Sequence, residues 1–161
     1  MIKGAWLSPV QLLDSALLKV NFDVKTEYSA DTPVLSMTVS LQTEHLEKRE
    51  GLFISRCVFE FSGTWHEPGE VNNIAFIIAC SMGITVAIPE SSFDADYPKD
   101  RINRVVDANA VSLVYGKIRS FIENMTSQSV VGRQIIPAIE PYALLESLGE
   151  QSSSVASQKV V

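Results

Sequence analysis

The sequence predicts an α+β fold: a four-stranded antiparallel sheet followed by a long helix and a short C-terminal helix. Two observations carry that reading. Apolar residues recur with period two in four successive segments up to Ile88, and with spacings of three and four beyond Pro98. Strands that all precede the helices, rather than alternating with them, give an antiparallel sheet with helices segregated to one face. The 161 residues suit one domain. It is expected over 8–148, with the Ser/Gln-rich stretch 149–161 as a disordered tail.

Leu18, Val20, Phe22 and Val24 alternate with Lys19, Asn21, Asp23 and Lys25, which predicts a half-buried first strand. Ser29, Ala30, Asp31, Thr32 and Pro33 form a turn signal. Leu35, Met37, Val39 and Leu41 repeat the alternation in a second strand. The charged stretch 44–50, closed by Gly51, is read as a hairpin connection. A third strand over 52–65 carries Phe53, Cys57, Phe59 and Phe61 on one face, and His66 to Gly69 turn the chain. In the fourth strand the even positions from Ile74 to Ile88 are large and apolar. The odd positions are mostly small, so another layer can approach that face closely.

Pro98 suits the first turn of a helix that is expected to end near Asn109. A second, longer helix is expected over 110–127, with a wide stripe that includes Ile118, Phe121, Ile122 and Met125. An apolar loop over 129–139 and a short helix over 141–148 close the domain. Most loops are polar, so Val130, Val131, Ile135, Ile136, Pro137 and Ile139 stand out. They either pack onto their own domain or wall a groove.

The composition narrows the function. Net charge is −6 and the isoelectric point about 4.9, which argues against nucleic acid as a partner. No stretch reads as a signal peptide or a spanning helix, so no membrane insertion and a cytoplasmic location are expected. Cys57 and Cys80 lie in apolar strand-like runs and read as reduced core thiols. His45 and His66 lie near turns and read as exposed. There is no H-E-x-x-H, C-x-x-C, P-loop, G-x-G-x-x-G or G-x-S-x-G pattern, and Asp94, Asp96 and Asp100 lack the glycine and closing glutamate of a calcium loop. The chain is therefore expected to be no enzyme and to need no cofactor or metal.

Several segments resemble SecB-like chaperones in consistent order across about 10–148. They are Val10-Gln11-Leu12-Leu13-Asp14-Ser15 leading into Val20-Asn21-Phe22; Ala75-Phe76 through Gly83-Ile84; Asn109 through Arg119; and Met125-Thr126-Ser127-Gln128, Ile135-Ile136-Pro137 and Pro141-Tyr142-Ala143-Leu144-Leu145. The resemblance implies an ATP-independent holdase for non-native polypeptides, assembled as a homo-oligomeric dimer of dimers. It implies a client groove at Val130, Val131, Ile135, Ile136, Pro137, Ile139, Tyr142 and Leu145, and a subunit interface at Ile78, Cys80, Met82, Ile118, Phe121 and Ile122. Some SecB-like proteins serve the translocase ATPase and others protect an antitoxin. The positions matching the family's translocase-docking acids hold Lys19, Asp23 and Ala79, so only one acid is present. Gly116 also departs from the family's helix start. The same inventory of sheet and long helix fits a hot-dog-like small-ligand binder or enzyme. That alternative requires a buried acid or His beside the long helix, and Glu123 is the nearest acid in the sequence.

Overall fold

The structure is a computed structural model and describes residues 10–25 and 32–149, with only the backbone of 47–49. The expected tail from 150 onward, the domain start at 8 and turn residues 29–31 lie outside the described residues. The elements are β1 (Gln11–Val24), β2 (Val34–Arg49), β3 (Leu52–Glu67), β4 (Glu70–Pro89), a single 3-10 turn at Glu90–Ser92, α1 (Lys99–Ser127) and α2 (Pro141–Gly149). The strands form one antiparallel sheet in the order β1-β4-β3-β2, so the chain crosses over between β1 and β2.

Three boundaries differ from the sequence expectation. The charged stretch 44–50 is not a loop: β2 runs to Arg49, and the turn contracts to Glu50 and Gly51, both with positive φ. That is the backbone a tight two-residue hairpin needs, and glycine supplies half of it without steric strain. The two expected helices are one. The carboxamide of Asn109 donates to the Val105 carbonyl 2.8 Å away, so the residue expected to end a helix instead bonds back onto it. The 29 residues of α1 extend about 43 Å. β1 also begins earlier than expected and contains irregularities between Leu12 and Asp14 and between Leu17 and Lys19. The second one breaks the strict alternation. Leu18 lies over Gly83 on the open face of the sheet, while Val20 and Phe22 pair with Cys80 and Ile78 on the covered face.

The core sits between the sheet and α1, which crosses β3 and β4. The sheet contributes Phe59, Phe61, Phe76, Ile84 and Val86, and α1 contributes Val106, Val111, Val114, Ile118 and Ile122 at helical spacing. Burying an aliphatic or aromatic side chain of this size contributes about 1.5–3 kcal/mol. Trp65 stacks on Phe76 with ring centroids 4.7 Å apart. Gly63 makes that possible, since a methyl group there would meet Trp65 Cζ3 at 2.7 Å and Phe61 Cζ at 2.8 Å.

The residues expected at a subunit interface belong to this core. Ile78, Cys80, Met82, Ile118 and Ile122 are buried within the single chain, and Phe121 packs half-buried against them. Within one chain, a large apolar strand face lies opposite a long apolar helix stripe, and the two cover each other. No helix among the described residues is long and apolar enough to cross a membrane.

Candidate functional site

The connecting segment between α1 and α2 folds back along α1 and is pinned mainly through its backbone. Thr126 Oγ1 donates to the Ile122 carbonyl at 2.7 Å and accepts the Gln134 N–H at 2.9 Å. Arg119 Nε donates to the Ile136 carbonyl at 3.1 Å, and Tyr115 Oη donates to the Pro137 carbonyl at 2.6 Å. Burial pushes the Tyr115 hydroxyl up to about 12, against a smaller opposing effect of Arg119, so it stays a donor. Arg133 pairs with Glu123 outside this strap.

With its carbonyls held, the segment sorts its side chains. Val131 and Ile136 are buried, whereas Val130 is 89% and Ile135 58% exposed, and Pro137 is exposed beside them. Ile139 and Leu145 are half-buried, and Tyr142 is exposed with the Arg104 guanidinium 5.8 Å from its ring centre. The residues of the apolar loop thus divide between inward-packed and exposed side chains. Leu145 lines a cleft of about 380 Å³ between α1 and α2 with Asp100, Arg104 and Glu146.

A second apolar surface lies along β1. Leu12, Leu13, Leu17, Leu18 and Val20 are between 42% and 56% exposed, and among the described residues the outer edge of β1 has no neighbour in the sheet. A groove of about 620 Å³ separates it from α1, with Leu17, Met82 and Leu113 on its walls and Gly116 opening the helix side. On the opposite face of the sheet, the register brings Lys19, Asp23 and Ala79 to one side.

A third feature was not expected. Asp107, on the buried stripe of α1, accepts from Ser55 Oγ at 2.9 Å, and both its oxygens lie 2.9 Å from His45 Nε2. A carboxylate at this distance holds the imidazole with its proton on Nε2. Burial, with the Asp107 charge adding to it, pushes the neighbouring Cys57 thiol up to about 12. His45 is therefore a paired residue of a long strand, and His66 is buried with Nε2 3.1 Å from Ser36 Oγ. A signal was present in the sequence. His45 shares the alternation of Val39 and Leu41, Ser55 lies between Phe53 and Cys57, and Asp107 lies one turn before Val111. All three are polar residues at positions whose neighbours face the core.

Among the described residues no group of three or more His, Cys, Asp or Glu is arranged to hold a metal ion. The sequence matches no family model and no curated protein. The fold is similar to that of a SecB-like chaperone of Mycobacterium tuberculosis, solved in complex with a ChAD peptide from the HigA1 antitoxin. The TM-score is 0.52 at 10% identity, over 81% of this chain and 87% of that one. It is also similar to a protein of unknown function from Streptococcus agalactiae, with a TM-score of 0.49 at 7% identity over 81% and 97%. The architecture is thus SecB-like, as the sequence resemblance implied.

Proposed function

We propose that this chain is an ATP-independent holdase chaperone that binds non-native polypeptide segments. The observation that carries the reading is the pinned connecting segment. Hydrogen bonds to its backbone hold Val130, Ile135 and Pro137 at the surface, so little ordering entropy is lost when a client covers them. Apolar burial is non-directional, at roughly 25 cal/mol per Å², so such a surface accepts many sequences. The peptide bound by the mycobacterial neighbour supports a polypeptide client. It also favours a toxin–antitoxin role over export, as does the single acid among Lys19, Asp23 and Ala79. The apolar β1, whose outer edge pairs with no described strand, supports self-association, with a dimer of dimers as the form implied by the family.

The test is light scattering during dilution of a chemically denatured model enzyme. The full chain suppresses aggregation at near-stoichiometric ratio without nucleotide, and the double variant Val130→Asp/Ile135→Asp suppresses it several-fold less. A chain that leaves aggregation unchanged at every ratio rules the holdase reading out.

A further inference from the structure

One residue fastens both ends of the loop that carries Val130. Thr126 lies in the last turn of α1 and is fully buried. Its carbonyl accepts the Ser129 N–H at 3.0 Å and the Ser129 hydroxyl at 2.9 Å, where the chain turns off the helix. Its hydroxyl accepts the Gln134 N–H at 2.9 Å, where the chain comes back. Val130 stands between the two attachments, 89% exposed, and Ile135 directly follows the second. We propose, on the basis of the holdase reading, that Thr126 is a positioning residue of the client surface: its hydroxyl closes the 126–134 loop and so keeps Val130 and Ile135 presented to a non-native polypeptide.

A threonine that donates to the carbonyl four residues back is ordinary in a helix and by itself serves only the helix. In Thr126 that donation, 2.7 Å to Ile122, commits the hydroxyl proton and leaves the oxygen to accept from a residue eight positions on. A valine in its place fills the same space, so no water takes over the bond and the Gln134 N–H loses this partner. The Arg133–Glu123 pair also spans the loop, but both side chains reach solvent, where such a pair holds a segment only weakly. Further along, Arg119 and Tyr115 hold the carbonyls of Ile136 and Pro137. Thr126 thus governs the part of the segment that precedes those two pins. Buried as it is, it touches no client, and its effect on binding passes through the loop. A loop left free must be ordered again when a client covers it, which weakens binding.

The test uses the full chain and, as probe, reduced and carboxamidomethylated pancreatic trypsin inhibitor, a basic polypeptide that stays unfolded without denaturant; its Kd is read by fluorescence anisotropy. Thr126→Val is expected to raise that Kd about five- to tenfold, and Thr126→Ser, which keeps the hydroxyl, to hold it within about twofold of the unaltered chain. Gln134→Pro deletes the same bond from outside the helix and should weaken binding as Thr126→Val does, which decides the matter should the valine variant not fold. By amide hydrogen exchange, Gln134 should lose protection in Thr126→Val while Ile118, in the middle of α1, keeps its own. In the Val130→Asp/Ile135→Asp background Thr126→Val should add nothing, because the side chains it positions are already replaced. If the unaltered chain binds the probe and Thr126→Val or Gln134→Pro binds it as tightly, the proposal is overturned and the holdase reading stands. A serine variant that binds as poorly as the valine one, or a full further loss in the double-variant background, has the same consequence. An unaltered chain that does not bind the probe overturns both.

Discussion

β1 and β3 flank the same central strand and share its antiparallel pairing, yet they end in opposite environments. On β3, Cys57, Phe59 and Phe61 are buried beneath α1. On β1, Leu17 and Val20 face the same side of the sheet and stay largely exposed, because α1 crosses β3 and β4 and stops short of β1. An alternating pattern therefore states which side of a strand is apolar. Only the layer above decides whether that side is buried in its own chain. The covered half of the sheet stabilises the fold, and the uncovered half keeps apolar side chains at the surface.

The sharpest test of that contrast is a pair of core substitutions, one a truncation and one an added methyl group. Phe59→Ala is expected to destabilise the chain by about 3–5 kcal/mol, measured by urea unfolding. Gly63→Ala is expected to cost about 1–3 kcal/mol, because Trp65 and Phe61 must move, and near-ultraviolet circular dichroism should report the altered Trp65 environment.

Alkali separates the halves next. Both thiols lie beneath the helix, and burial raises Cys57 to about 12 and Cys80 to about 11 from an ordinary value of 9.0. Each folded-state pKa lies above the unfolded one, so the thiols' contribution to stability is complete below pH 9. It declines as pH rises towards the folded values, by on the order of 1 kcal/mol per thiol per pH unit. Thiol titration of the native chain at pH 8 should accordingly show slow labelling at both positions.

The smallest stability effect belongs to β1. Val20→Asp should change the unfolding free energy of the dissociated chain by less than about 0.5 kcal/mol, while lowering its mass in solution by multi-angle light scattering. A loss comparable to Phe59→Ala would break the comparison.

Much of this architecture was legible in the sequence. Period-two runs located all four strands, and Pro98 and Pro141 marked both helix starts. The misplacements share one cause, which is that local pattern carries no information about what a polar group meets across the fold. Asn109 read as a helix end because its return bond to Val105 is invisible in composition. His45 read as a turn residue with no partner because Asp107, to which it bonds, is 62 positions away. The expected client residues divided in the same manner. Val131 and Ile136 turn inward, since Tyr115 and Arg119 hold the segment by its carbonyls, a contact no hydropathy pattern encodes.

The two irregularities in β1 bear on how this protein survives at high concentration. A flat edge strand that is apolar on both faces is a template onto which chain after chain can add, as in fibrils. Each bulge bends the strand and interrupts the even spacing of its outward N–H and C=O groups. An incoming strand must match both interruptions to pair along the full length. The interruptions thus work against the unlimited stacking that its leucines would otherwise invite.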